Sequence, residues 1–141
     1  MDYSFAPDGA GSVTVVLREE MPLLADALKD CLSTDSPAGA VHDGPSTYWL
    51  DEALHQIGLR LEFGGDEPVA SGNLTSLTVV DGRVEARWDV HPVDGDKVDA
   101  VAVEDFVAFL REWRARVLAE SPGAALQRPR PRAAIPLPPA P

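Results

Sequence analysis

A single cysteine, Cys31, is all the thiol chemistry this chain has. No disulfide can close within one molecule, so a reducing, cytoplasmic compartment is the natural setting. No run of eighteen apolar residues occurs, which argues against a membrane-spanning helix. The opening residues, MDYSFAPDGAGS, contain neither a positively charged segment nor an apolar stretch, and no secretory leader is expected.

Basic side chains are scarce. Over residues 1–120, nine lysines and arginines stand against 23 aspartates and glutamates, a net charge of −14. Such a field repels phosphate backbones and anionic lipid, so nucleic acid and membrane surfaces are excluded as partners and a basic protein is favoured. Catalytic and metal-binding patterns are missing as well. His42, His55 and His91 have no metal-ligand spacing, and Cys31 falls on an apolar helical stripe, as a small core residue does. His42-Asp43 has no activated serine motif to serve. Asp94-Gly95-Asp96 with Asp99 begins like a calcium loop. The pattern then fails, with Val98 where an oxygen ligand belongs, Asp99 where glycine belongs and Asp105 where glutamate belongs. The sequence points to no cofactor and no metal, and to binding rather than catalysis.

The residues that are present specify a domain of ordinary size. Ser12–Leu17 is β-branched and apolar, a short strand on a core, while residues 1–11 look loose. Met21, Leu24, Leu28, Cys31 and Leu32 are spaced for a helix over 19–32, with Glu19 and Glu20 in its first turn. A turn-rich loop, 33–45, precedes Ser46, a candidate cap for a second helix over 47–57 that Gly58 would end. That helix places Trp49 on its apolar stripe and Tyr48 off it. Leu59, Leu61 and Phe63 alternate with Arg60 and Glu62 as a half-buried strand does, and 64–73 is loop-like.

Asp81-Gly82 is the clearest local signal, a dipeptide that accepts positive φ in a tight hairpin. It sets Val80 opposite Arg83, Val79 opposite Val84, Leu77 opposite Ala86 and Thr75 opposite Trp88. Leu77, Val79, Val84, Ala86 and Trp88 then share the inner face, and Ser76, Thr78, Glu85 and Arg87 the wet one. After turn-rich residues 91–97 and an extended 98–102, a helix begins near Val103. Its stripe is Val103, Phe106, Phe109 or Leu110, Trp113 and Val117. Ser121 onward holds seven of the thirteen prolines and only basic charge, Arg128, Arg130 and Arg132, as a disordered or polyproline-like tail does. The expectation is one α+β domain over 1–120, in the order β-α-α-β-β-β-α, with helices on one face of a small antiparallel sheet, and a tail over 121–141.

Acidic residues crowd the second half of this domain. Asp89, Asp94, Asp96 and Asp99 are the candidate docking carboxylates, and Tyr48 is the candidate buried anchor. The stretch from the Asp81-Gly82 hairpin through Val103-Glu104-Asp105-Phe106-Val107-Ala108-Phe109-Leu110-Arg111-Glu112-Trp113 resembles the closing part of small acidic immunity proteins of bacterial toxin systems. The resemblance rests on packing residues. It implies an α+β domain that binds and masks a toxin, and it transfers no functional residue. The alanine, proline, arginine and aspartate usage is similar to that of actinobacterial proteins. The alternative expectation is a small-molecule-binding or enzymatic accessory domain with a pocket between sheet and helices.

Overall fold

The computed structural model describes residues 1–40, 44–89 and 97–126. Two strands open the chain: β1 (Tyr3–Pro7) and β2 (Val13–Leu17) pair antiparallel, with Tyr3 opposite Leu17 and Phe5 opposite Val15. β1 takes the place of the loose segment expected over residues 1–11. Tyr3 and Phe5 alternate with Ser4 and Ala6, so both rings share one face. The face is covered by a distant helix: Tyr3 meets Phe109 edge-on, and Phe5 lies parallel to it at 6.0 Å between centroids. A two-stranded ribbon needs such support, because it buries too little alone.

Helix α1 (Pro22–Cys31) begins later than its apolar spacing implies, with Pro22 in the first turn, where a missing amide donor costs nothing. Glu19 and Glu20 therefore lie outside it. Leu23, Leu24, Ala27, Leu28 and Cys31 form its buried face. Helix α2 (Tyr48–Phe63) uses Ser46 much as expected: the serine hydroxyl accepts the Tyr48 amide at 3.1 Å, although Thr47 is the boundary residue. It does not stop at Gly58. Gly64, at φ +76°, ends it, and the Gly64 amide donates to the Arg60 carbonyl at 2.8 Å.

The expected strand over 59–63 is thus the end of α2. Its alternating residues have no buried face to form, since Leu61 is 56% and Phe63 74% exposed. One interior glycine costs a helix about 1 kcal/mol, too little to halt one anchored by buried Leu50, Ala53 and Ile57.

Strands β3 (Ala70–Ser71), β4 (Thr75–Val80), β5 (Arg83–Trp88) and β6 (Asp99–Ala102) form an antiparallel sheet in that order. The hairpin has the register that its turn dictates, from Val80 opposite Arg83 to Thr75 opposite Trp88, with Asp81 and Gly82 at φ +50° and +75°. Leu77, Val84 and Ala86 are buried, and Val79 and Trp88 half-buried. Ser76, expected on the wet face, is buried at the end of β4 where β3 pairs beside it.

Helix α3 (Val103–Glu120) follows β6 directly and buries Val103, Phe106, Phe109, Leu110, Trp113 and Val117, the expected stripe. α1 lies against β4 and β5, while α3 touches β1, β2, α2 and the sheet. Arg114 Nε donates to Asp51 Oδ1 at 2.6 Å, tying α3 to α2. The fold is α+β, and the element order follows the expected one approximately, with β1 and β3 added and two small sheets instead of one.

The chain does not leave the domain at residue 120, where the sequence set the boundary. The Ser121 hydroxyl donates to the Gly11 carbonyl at 2.6 Å. A 3-10 turn (Pro122–Leu126) then buries Ala124, whose carbonyl accepts the Thr47 amide at 3.3 Å. Pro122 halts the α-helix without preventing this tighter turn, because its missing donor falls at the first position. Residues 127–141, the rest of the expected tail, lie outside the described residues. Among the described residues no helix is long and apolar enough to cross a membrane.

Candidate functional site

Two of the four candidate docking carboxylates, Asp89 and Asp99, fall among the described residues. Asp99 is half-buried, and its Oδ2 accepts the amide of Leu24, in the first turn of α1, at 3.0 Å. It caps a helix from β6, supplying the negative charge that a helix N-terminus favours. Asp99 thus ties β6 to α1. Asp89 is exposed, and its amide bonds to the Leu74 carbonyl at 2.7 Å, just past the open end of the hairpin. Asp94 and Asp96 lie outside the described residues.

Tyr48 and Trp49 open α2. Trp49 is the more open, at 39% exposure, while Tyr48 is half-buried and meets it edge-on at 4.8 Å. The expected stripe placed Trp49 in the core. The rest of that stripe holds, with Leu50, Ala53 and Ile57 buried.

The structure brings other residues together. An open groove of about 780 Å³ runs between β2 and α1. All five residues of β2 line it, which makes one wall a strand with no partner on that side among the described residues. Ala25, Leu28, Lys29 and Leu32 form the other wall, since spacings of three, four and seven residues fall on one helical face. Leu28 and Leu32 are buried at its base, and Val16 is 47% exposed at its lip. Glu19 and Glu20 mark one end. Glu19 Oε1 lies 3.7 Å from the amino group of Met1.

Trp113 of α3 also lines the groove. It is only 6% exposed, and its indole Nε1 is the one buried side-chain nitrogen or oxygen among the described residues without a hydrogen-bond partner. A buried donor left unpaired costs about 1–3 kcal/mol, so its persistence calls for a reason. The apolar stripe of α3 marked Trp113 as core. Only the arrival of β2 and α1 turns it into the floor of a cleft.

A second cluster is structural. The Asp30 carboxylate accepts the amides of Asn73, Leu74 and Thr75 at 2.9, 2.9 and 2.8 Å, and the Thr75 hydroxyl at 2.6 Å. The Thr75 hydroxyl first, and then these amides, hold its pKa down to about 2. The Cys31 thiol lies 3.2 Å from Thr75 Oγ1 and 3.3 Å from the Thr75 carbonyl. Burial pushes the thiol pKa up, which keeps the sulfur protonated and a poor nucleophile. Cys31 thus packs as the small core residue expected from its stripe.

Of the three histidines, His55 is exposed on α2, and His42 and His91 lie outside the described residues. No group of three or more histidines, cysteines or carboxylates is placed to hold a metal among the described residues. Comparison with protein-family models, curated proteins and solved structures finds no match to this chain.

Proposed function

We propose that this protein is an acidic binding module that receives a basic, apolar segment of a partner protein in the groove between β2 and α1. The observation that carries this reading is the groove itself: an apolar base, a strand edge with no partner among the described residues, and Trp113 in its lining. An extended segment laid along β2 would satisfy free backbone groups of the strand, while its apolar side chains rest on Leu28 and Leu32. The net charge of −14 over residues 1–120 favours a basic partner and speeds its approach. In its most specific form the protein is a cytoplasmic, immunity-like inhibitor from a bacterial toxin system. Its partner is then a basic toxin encoded beside it, whose lethality co-expression of this chain relieves.

The defining experiment titrates the isotope-labelled protein with an octapeptide of alternating lysine and valine, and with its glutamate–valine counterpart. The basic peptide is expected to move the amide signals of Val13–Leu17, Ala25 and Lys29 and the indole signal of Trp113, less so as salt rises. Equal shifts from both peptides, or shifts scattered over the surface, would sink the reading.

The alternative is a small-molecule-binding or enzymatic accessory domain that uses the same groove. Its volume and apolar lining fall in the range of ligand pockets. That reading is favoured if a library of apolar small ligands perturbs the Trp113 indole signal and neither peptide does.

A further inference from the structure

The end of α3 lies close to the start of β2, one wall of the groove. Trp113 and Ser121 are eight residues apart on one helix, about 12 Å along its axis. The Ser121 hydroxyl binds the Gly11 carbonyl, two residues before β2 begins at Val13. The turn that follows stays on the body of the domain, since Ala124 is buried and its carbonyl takes the Thr47 amide. Fifteen further residues, 127–141, follow Leu126 in sequence.

Their charge is opposite to that of the domain. Arg128, Arg130 and Arg132 are the only charged side chains among them, and the domain they leave has a net charge of −14. Ile135 and Leu137 follow, set among Pro136, Pro138 and Pro139. Proline cannot donate a backbone hydrogen bond, but it fixes an extended backbone whose carbonyls are unpaired acceptors. Trp113 lines the groove, and its indole N–H is a buried donor with no partner among the described residues.

Length allows the match. Five strand residues make the β2 wall about 17 Å long, and fifteen residues of extended proline-rich chain reach about 46 Å. A tether this short also holds its end near the groove at an effective concentration of about a millimolar, so weak contacts suffice.

We infer that residues 127–141 of this chain occupy the β2–α1 groove in cis, as a built-in competitor that a partner must displace. This inference rests on the groove being a site for basic, apolar segments. It adds what fills that site before a partner arrives.

The test uses full-length protein and a fluorescein-labelled peptide with the sequence of residues 127–141. Two chains are compared: the parent, and one carrying Arg128→Ser, Arg130→Ser, Arg132→Ser, Ile135→Ser and Leu137→Ser. These positions lie beyond the contacts that close the domain, and near-ultraviolet circular dichroism checks that both chains fold alike. The substituted chain is expected to bind the peptide about tenfold more tightly, because its own segment no longer competes. Adding Val16→Glu at the groove lip should abolish that gain. Equal affinities for the two chains would overturn cis occupancy while leaving a site for such segments. If the peptide binds neither chain but the lysine–valine octapeptide binds both, the cis inference fails and the reading of the groove stands. If neither probe binds either chain, both fail.

Discussion

Asp99 Oδ2 accepts the amide of Leu24 at 3.0 Å, so a residue of the last strand caps the first helix across 75 positions of sequence. Met21, at the helix boundary, offers no side-chain oxygen for this purpose. A capping carboxylate typically contributes about 1 kcal/mol. Asp99→Ala is expected to lower unfolding stability by about that amount, read as a shift of the urea midpoint at constant slope. An unchanged midpoint would return Asp99 to the pool of surface charge.

Asp30 should make stability depend on acidity in a defined window. Its pKa is near 3.8 when unconstrained and about 2 in the fold. The folded value is the depressed one, so the contribution is complete above pH 3.8 and is lost as pH falls through that value towards 2. Asp30→Asn should flatten the stability profile over this range and lower stability at neutral pH. A parallel profile in the variant would show that other carboxylates govern acid unfolding.

Gly72 packs so closely on Asp30 that an added Cβ would overlap both its carboxylate and its backbone carbonyl. Gly72→Ala is therefore expected to destabilise by about 1–3 kcal/mol. In the hairpin, Gly82→Val should cost more than about 1 kcal/mol, for the different reason that a β-branched residue resists φ of +75°. Thermal unfolding of the two variants tests both, and a glycine replaced without loss would refute the geometry drawn at its position.

Where the chain is cut should matter sharply. Ending it after residue 126 keeps the bonds from Ser121 to Gly11 and from Thr47 to Ala124, whereas ending it after residue 120 removes both. Two hydrogen bonds at about 1 kcal/mol each amount to several degrees of melting temperature in a domain of this size. The shorter chain should melt lower by that margin. Equal melting temperatures would restore the boundary at residue 120.

Trp113→Phe separates binding from stability. It deletes an unpaired donor while keeping most of the ring, so stability should change by no more than about 1 kcal/mol. Affinity for the basic octapeptide should fall about fivefold, the value of one lost hydrogen bond of that strength. Unchanged affinity would mean that the indole N–H takes no part in binding.

The sequence by itself determined whatever is decided over a few neighbouring residues. Asp81-Gly82 fixed a turn and with it the pairing of β4 and β5, because positive φ at two adjacent positions admits few alternatives. The spacing of Val103, Phe106, Phe109, Leu110, Trp113 and Val117 fixed a helix and its buried side. Gly64-Gly65 marked a terminus but not the kind of element it ended, since Leu59, Leu61 and Phe63 alternate as strand residues do while their exposure shows no strand face. β1 was missed, since residues 1–11 look loose in sequence and the support for their alternating rings comes from Phe109, more than a hundred residues away.

The tertiary structure alone decided which side chains were free to act. Asp99 looked like any other turn carboxylate until folding brought it to the amide of Leu24. Trp113 looked like any other stripe residue until β2 and α1 joined it in lining a groove, its nitrogen without a partner among the described residues. Local sequence sets backbone preference and apolar period. A cap or a cleft depends on which distant groups meet, and that is settled only when the whole chain packs.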